Sequence, residues 1–262
     1  MNLNLKNRTA VVCGSTQGIG LASALELASL GASIVLIARN EASLQKVVQT
    51  LDSSMGQKHS YLVADFRSSK AVSEAISGFI KDGSRADILV NNTGGPAAGN
   101  IEQATNEQFL AAFESHLLCN QILAQALVPG MKLNKWGRII NIISTSVKSP
   151  LPGLGVSNTI RAAVASWAKT LANELASDGI TVNNVLPGFT ATARASSLVE
   201  DKAQKLGTSR HEILAKMVKE IPVGRMATPL EIGSAVAFLA SPSAAYITGI
   251  NLPVDGGRLS CL

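Results

Sequence analysis

The most informative stretch of the sequence is a glycine-rich turn that follows a valine-rich run at residues 9–13. It reads Cys13-Gly14-Ser15-Thr16-Gln17-Gly18-Ile19-Gly20. The run before it is typical of a buried strand, and a helical pattern of apolar residues starts after it. Glycines at such a junction let the backbone turn tightly and approach a pyrophosphate, whose charge then lies at the helix amino terminus. The stretch therefore predicts a dinucleotide site that is contacted by Gly14, Ser15, Thr16, Gln17, Gly18, Ile19 and Gly20.

Apolar runs rich in Val and Ile recur along the chain, with segments of helical length between them. The runs span residues 9–13, 33–38, 61–64, 88–90, 138–143, 181–186 and 250–254. This alternation is typical of βαβ units, whose right-handed crossovers place helices on both faces of a parallel sheet. We predict an α/β fold of the Rossmann type, a doubly wound parallel sheet of about seven strands.

The length and composition fit one globular unit. Of 262 residues, 46% are hydrophobic and 16% charged, which excludes a disordered chain. No linker or repeat interrupts the sequence, so residues 1–262 are predicted to form a single domain. One irregular insertion, at residues 189–221, is expected to form short helices that cover the carboxyl ends of the strands like a lid. An ordinary surface excursion is the alternative.

Charge and cysteine patterns limit the partners. The net charge of +5 comes without a run of like charges, so we expect no nucleic-acid partner. The apolar stretches fall short of the roughly 18 residues of a membrane span, and no signal peptide is recognised. Cys13, Cys119 and Cys261 are far apart, which predicts neither a disulfide framework nor a metal site. A cytoplasmic protein is expected.

The end of the second predicted strand indicates which cofactor is bound. An NAD site usually has an acidic residue about 20 residues beyond the glycines, where it binds the ribose hydroxyls. This chain has Ala38 and Arg39 there. A guanidinium can hold a 2′-phosphate through charge-assisted hydrogen bonds, whereas a carboxylate would repel it. NADP(H) is therefore favoured over NAD(H), with a merely solvated Arg39 as the alternative.

Two more segments follow strands and should contact the same cofactor. Asp65 and Phe66 lie after the third strand, where the adenine edge is expected. A second glycine turn, Asn91-Asn92-Thr93-Gly94-Gly95-Pro96, follows the fourth strand. Because open α/β sheets bind ligands at the carboxyl ends of their strands, we expect contacts from Asp65, Phe66, Asn92, Thr93 and Gly94.

Further motifs point to a family. They are Val182-Asn183-Asn184-Val185-Leu186-Pro187-Gly188, Tyr246-Ile247-Thr248-Gly249 and Val254-Asp255-Gly256-Gly257. Together with the two glycine turns, they make nearly the whole chain resemble the short-chain dehydrogenase/reductase family, most of all its β-ketoacyl carrier-protein reductase branch. The resemblance implies that Pro187, Gly188 and Thr190 lie beside the nicotinamide. It also implies a homotetramer or homodimer in which helices near residues 105–131 and 154–178 pack across subunits.

The resemblance further implies four catalytic residues, of which this chain keeps one. The family uses an Asn in the helix after the fourth strand, a Ser after the fifth, and a Tyr followed four positions later by a Lys. The corresponding residues here are His116, Ser144, Ser157 and Arg161. The sequence holds only two tyrosines, neither of them near this position. The usual proton donor is therefore absent.

The four residues still have usable chemistry. Ser144 can orient a substrate carbonyl, or simply end its strand. Arg161 can bind a ribose hydroxyl, a developing oxyanion, or the carboxylate or phosphate of an anionic substrate, and it can polarise Ser157. His116 has an ordinary pKa near 6.5, which suits a proton donor at neutral pH. A helix histidine with a purely structural hydrogen bond is the other interpretation.

These patterns leave three hypotheses for function. The first is an NADP(H)-dependent oxidoreductase of the short-chain type that acts on a small-molecule ketone or alcohol, which could be anionic. The second is a non-redox enzyme, such as an isomerase or lyase, that uses the same pocket for proton transfer. The third is a nucleotide-binding protein that has lost catalysis.

Overall fold

The computed structural model describes residues 1–261, and these residues form one sheet of seven strands. The strands are β1 (Thr9–Cys13), β2 (Ser33–Ala38), β3 (Ser60–Val63), β4 (Ile88–Asn91), β5 (Gly137–Ile142), β6 (Ile180–Pro187) and β7 (Asn251–Val254). Their order is β3-β2-β1-β4-β5-β6-β7, and every neighbouring pair is parallel. The winding changes direction between β1 and β4, where a sheet of this type opens a crevice at its carboxyl edge.

Helices connect the strands. Within residues 1–261 they are α1 (Gly18–Ser29), α2 (Glu41–Val48), α3 (Ser69–Lys81), α4 (Asn106–Phe113), α5 (Cys119–Leu133), α6 (Gly155–Leu175), α7 (Ala193–Leu206), α8 (Arg210–Lys219) and α9 (Pro229–Ala240). Helices α7 and α8 fall in the segment predicted as an insertion, and α9 follows it.

Two hydrophobic clusters fill the space between the sheet and its helices. Because side chains alternate along a strand, Val11 and Val12 of β1 point to opposite faces and belong to different clusters. The cluster around Val12 includes fully buried residues of α1, α2 and α9. The cluster around Val11 includes residues of α3, α5 and α6. Each fully buried Leu or Ile in them contributes roughly 1.5–3 kcal/mol to folding.

The predicted doubly wound sheet is confirmed, with small shifts at the strand ends. β1 and β2 have the predicted bounds, and the other strands begin or end within one residue of prediction. The helix predicted at residues 154–178 consists of α6 and a 3-10 turn, Ala176–Asp178. It ends at Gly179, which has a φ of 74°. A side chain there would approach the carbonyl oxygen of Lys135 to 2.2 Å, so only glycine fits.

The helix predicted at residues 105–131 contains an unpredicted π-helical segment. α4 and α5 are joined by Glu114–Leu118, in which the helix widens by a π-type turn. Such segments often occur at functional sites because they redirect one side chain out of the regular helical register. The segment contains His116, one of the predicted catalytic residues.

Four asparagine side chains form a ladder across strands β4, β5, β6 and β7. The register places Asn91 of β4, Asn141 of β5, Asn184 of β6 and Asn251 of β7 side by side. Each amide nitrogen donates to the oxygen of the next residue, over 2.8, 2.9 and 2.8 Å. The first three residues are at most 3% exposed. The ladder therefore ties β4, β5, β6 and β7 together close to the edge where the glycine turns lie.

Membrane-spanning character is absent from the described helices. None of the helices within residues 1–261 combines the length and the apolarity of a membrane span.

Candidate functional site

A cavity of about 300 Å³ opens at the carboxyl edge of the sheet, over β1, β4, β5 and β6. It brings together both glycine turns, the ends of β5 and β6, and the first turns of α6 and α7. The predicted site residues that line it are Gly14, Gln17, Gly18, Ile19, Asn92, Thr93, Gly94, Ser144, Ser157, Arg161, Pro187, Gly188 and Thr190. Cofactor and catalytic candidates thus share one cavity, as ligand binding at this edge requires.

The first glycine turn has a geometry that excludes side chains. Gly14 has a φ of 55°, and a Cβ on it would lie 2.7 Å from the carbonyl oxygen of Asn92. A Cβ on Gly20 would lie 2.2 Å from the carbonyl oxygen of Gly14. The Asn92 amide donates to the carbonyl oxygens of Cys13 and Gly14, both at 3.2 Å. The second turn thus fixes the first, and the resulting backbone cradle at the start of α1 fits a dinucleotide phosphate.

Two residues predicted to contact the cofactor have inward-facing side chains. Ser15 is fully buried, and its hydroxyl donates to the carbonyl oxygen of Ile37. Phe66 is 8% exposed and packs in the hydrophobic cluster on the α3 side of the sheet. Neither side chain reaches the surface where a cofactor would lie, so only their backbone atoms remain as candidates. Thr16 is half-buried and lies outside the lining of the cavity.

The end of the site near β2 and β3 is basic. Arg39 is exposed and takes no part in the ion pairs found among residues 1–261. Asp65 pairs with Arg67 at 2.7 Å. The hydrogen bond from Arg67 lowers the pKa of Asp65, and Arg39 adds a smaller effect in the same direction. Asp65 is therefore an ionised, engaged carboxylate, and Arg39 keeps its charge available.

The segment after β6 approaches the cavity closely. A Cβ on Gly188 would lie 2.6 Å from the Cα atom of Asp255 in the loop after β7, so this loop presses directly on the turn. Thr190 is 5% exposed, and its hydroxyl donates to the carbonyl oxygen of Gly188. Thr192, which was not predicted, also lines the cavity and caps α7 by accepting from the backbone nitrogen of Ala195.

Three of the four catalytic candidates meet in the cavity. Ser144 follows β5, and its hydroxyl accepts a hydrogen bond from the Ser146 backbone nitrogen at 3.0 Å. Ser157 and Arg161 are four residues apart in α6, so they share one face of that helix. The Nη1 atom of Arg161 donates to the carbonyl oxygen of Ile142 at 2.7 Å. Two hydroxyls and a fixed guanidinium therefore surround the same space.

His116 lies behind this group, and its expected pKa must be corrected. Its side chain is 2% exposed and borders a neighbouring cavity of about 280 Å³, which shares Gly94 and Gly95 with the first. Burial, together with the charge of Arg161, lowers the pKa of His116 to about 2. The imidazole is therefore neutral at neutral pH and cannot act as the imidazolium proton donor that the sequence suggested.

The sequence reasoning also missed a second arginine in the cavity. Arg194, the second residue of α7, lines the cavity and donates to the carbonyl oxygen of Pro96. Its position depends on where α7 starts, which Thr192 sets as the N-cap. Threonine is a common N-cap residue, so Thr192 is a possible helix start in the sequence. Without the fold, the sequence does not show that this helix starts at the cavity.

Metal chemistry has no support in the described part of the chain. Residues 1–261 contain no group of three or more His, Cys, Asp or Glu side chains that could hold a metal ion. Cys13 and Cys119 are buried thiols, and burial raises the pKa of Cys119 to about 12.

Comparison with known proteins gives a consistent picture. A family model described as enoyl-(acyl carrier protein) reductase matches residues 14–258. The 3-oxoacyl-(acyl-carrier-protein) reductase FabG of Vibrio cholerae is 36% identical over 257 residues, which are 97% of this chain and 98% of that protein. The NADPH-dependent reductase BacG of Bacillus subtilis is 31% identical over 259 residues, which are 98% of this chain and all of that protein.

A solved structure extends the likeness to three dimensions. The L-sorbose reductase of Gluconobacter frateurii, crystallised with NADPH and L-sorbose, superimposes with a TM-score of 0.92 and 32% sequence identity. The match covers the whole of both chains.

Proposed function

The chain belongs to the short-chain dehydrogenase/reductase family, and on that premise we propose that it is an NADP(H)-dependent oxidoreductase that interconverts a small-molecule ketone and its alcohol. The observation that carries the proposal is the single cavity in which the glycine cradle meets Ser144, Ser157 and Arg161. Relatives described as NADPH-dependent or solved with NADPH support the choice of cofactor.

The residues that would hold the cofactor fit NADPH better than NADH. The cradle at Gly14, Gly18 and Gly20 offers backbone donors to a pyrophosphate. Arg39 is exposed at the end of β2, where the 2′-phosphate of NADP(H) is expected, and it meets no carboxylate among the ion pairs of residues 1–261. When bound, NADPH supplies the hydride for carbonyl reduction.

The chain's own contribution is to bind the carbonyl oxygen and to stabilise the charge that develops on it. The hydroxyls of Ser144 and Ser157 donate hydrogen bonds to that oxygen. Arg161 stabilises the negative charge; burial lowers its pKa only to about 10, so it stays charged at neutral pH. The proton comes from water, because the tyrosine of the family is a serine here and His116 is neutral.

A second candidate is a nucleotide-binding protein that is catalytically inactive or that catalyses a non-redox reaction. The specific observation in its favour is that neither His116 nor Arg161 changes its charge near neutral pH, which leaves no titrating acid beside the substrate. It predicts tight NADPH binding without hydride transfer to any carbonyl.

The test begins with fluorescence titrations of NADPH and NADH. We expect NADPH to bind more tightly than NADH. Arg39→Ala should weaken NADPH binding by about 10–100-fold, since a charge-assisted contact contributes roughly 1.5–3 kcal/mol. Arg85→Ala is the matched control, because Arg85 is equally exposed but precedes β4 at the opposite edge of the sheet. Binding of neither nucleotide would refute both candidates.

Turnover then separates the two candidates. NADPH consumption is followed with a panel of ketones, first at steady state and then in single turnovers with enzyme in excess. We expect oxidation of NADPH by at least one ketone, and Ser144→Ala to slow it at least tenfold with unchanged NADPH affinity. Tight NADPH binding with no single turnover on any ketone would favour the inactive or non-redox protein.

A further inference from the structure

Two arginines from different helices converge on one point of the cavity. The Nη2 atom of Arg161 lies 3.9 Å from the position that a Cβ would occupy on Gly95, and the Nε atom of Arg194 lies 3.8 Å from the same position. Gly95 has no side chain to separate them. The two guanidinium groups therefore face one small volume beside the second glycine turn.

Each guanidinium is held by a backbone carbonyl on one side only. Arg161 donates through Nη1 to Ile142, and Arg194 donates through Nη2 to Pro96. A planar guanidinium has five donors in a fixed fork, so each arginine keeps donors free for a second acceptor. Arg161 is 9% exposed, and its remaining donors are not among the sealed, unpaired side-chain atoms of the described residues, so a ligand can reach them from the cavity.

Among the described residues, no carboxylate in the cavity wall balances this charge, because the lining includes no Asp or Glu. Neither arginine takes part in an ion pair within the part of the chain that the structure describes. Burial lowers the pKa of Arg161, and repulsion from the like charge of Arg194 lowers it further. Two like charges in a partly desolvated cavity repel one another, and an anion between them would relieve that repulsion.

Part of the cavity wall is apolar. Ile143, Leu154, Phe189 and Leu198 line it together with the arginines. A ligand that matches both parts has a negatively charged head and a compact apolar body, and it must be small enough to share about 300 Å³ with the nicotinamide end of the cofactor.

We propose that Arg161 and Arg194 together bind the oxyanion, a carboxylate or a phosphate, of a small carbonyl substrate with an apolar body. Arg194 keeps the Pro96 carbonyl as one acceptor and binds the substrate through its remaining donors, which connects the start of α7 to substrate binding. This inference rests on the proposed oxidoreductase function, because it assigns the substrate of that same cavity.

The cofactor's own phosphates are the competing ligand. The glycine cradle lies at the start of α1, and Thr192 is the residue of the α7 segment that approaches it, with its Cγ2 3.3 Å from a Cβ placed on Gly18. Arg194 contacts Pro96 instead, on the far side of the second turn. The arrangement separates a phosphate position near Gly18 from an anion position near Gly95, and binding to the cofactor-saturated protein distinguishes them.

The test measures oxyanion binding without turnover. Hexanoate, its uncharged analogue hexanamide, and inorganic phosphate are titrated by calorimetry into protein saturated with NADP⁺. We expect at least one oxyanion to bind. If the substrate's head group is a carboxylate, hexanoate should bind at least tenfold more tightly than hexanamide. If the head group is a phosphate, only inorganic phosphate should bind. Failure of both oxyanions, or equal binding of hexanoate and hexanamide without phosphate binding, would overturn the inference.

Variants locate the bound oxyanion. Arg194→Gln is expected to weaken oxyanion binding by about 10–100-fold, and Arg194→Lys should restore part of the affinity. The affinity for NADPH should not change in either variant. Arg210→Gln removes the same charge from the exposed start of α8 and should have no effect. If Arg194→Gln instead weakens NADPH binding, and the oxyanion competes with NADPH, the arginines bind the cofactor and the inference is wrong.

The same preparations keep the two proposals apart. If NADPH binds and both oxyanions fail, the substrate assignment falls while the oxidoreductase proposal stands. If NADPH does not bind, the oxidoreductase proposal falls, and the titrations are repeated on protein without cofactor. Selective oxyanion binding that depends on Arg194 would then still show an anion site in this cavity.

Discussion

Replacing Asn141 with alanine should destabilise the protein more than any other single change in the asparagine ladder. Asn141 is fully buried, accepts from Asn91 at 2.8 Å and donates to Asn184 at 2.9 Å. Its removal leaves one buried donor and one buried acceptor without a partner. Each such group costs about 1–3 kcal/mol, so the free energy of unfolding should fall by about 2–6 kcal/mol.

The end of the ladder supplies an internal comparison. Asn251 is half-buried and contacts a single ladder partner, Asn184. Asn251→Ala therefore removes the acceptor of one donor, the Nδ2 atom of Asn184. Because residue 251 is half-buried, water can replace the lost acceptor, and the change should cost about 0.5–1.5 kcal/mol. Comparing the stability losses of Asn141→Ala and Asn251→Ala tests whether the loss comes from buried unpaired groups or from the removal of an amide side chain as such.

Urea denaturation at one fixed protein concentration measures both changes, provided that the slope with denaturant stays constant. Asn134→Ala is the matched control, since Asn134 is exposed at the end of α5 and should change stability by less than about 0.5 kcal/mol. A loss for Asn141→Ala no larger than that of Asn134→Ala, or smaller than that of Asn251→Ala, would refute the reasoning.

Two other predictions concern pH and assembly. The pKa of His116 falls from 6.5 to about 2 on folding, so the unfolded chain binds a proton that the folded chain does not, and stability falls as the pH drops below about 6.5. His116→Asn should remove this pH dependence, so that at pH 5 its free energy of unfolding, measured by urea titration, exceeds that of the parent by about 2 kcal/mol more than it does at neutral pH. Stability profiles of variant and parent that run parallel with pH would contradict the prediction. For assembly, we propose that the exposed Leu110, Phe113 and Leu118 lie in a subunit interface of a homodimer or homotetramer. Phe113→Glu should shift the light-scattering mass towards the monomer, and a parent protein that is already monomeric would contradict the proposal.

The sheet was predictable from sequence because its signals are local. Valine-rich and isoleucine-rich runs mark strands that are buried on both faces, and glycines mark the turns that follow them. The glycine turn at Gly14 could be placed for the same reason, since a close backbone approach excludes every other residue. Arg39 could be placed at the end of β2 because its position depends only on where that strand ends, and its contact with the cofactor stays a prediction.

The features that the sequence did not reveal are properties that neighbours in space determine. Sequence assigns His116 an ordinary pKa, whereas burial and the nearby Arg161 come from the packing of α6 against the π-helical segment. Ser15 follows directly on Gly14, yet the turn directs its hydroxyl to Ile37 of β2. Arg194 belongs to the insertion, where no periodic pattern indicates which face of α7 meets the cavity.

The predicted catalytic residues make physical sense as a group. Where the resemblance predicts a lysine, Arg161 donates to the carbonyl oxygen of Ile142, and its Nη2 atom lies beside Gly95. Its charge then helps to keep His116 neutral. Between the pKa of His116, about 2, and that of Arg161, about 10, neither group changes its charge. A site with a fixed positive charge and no titrating acid near neutral pH is suited to hold an anion in place, and in the mechanism that we propose the proton that completes reduction comes from water.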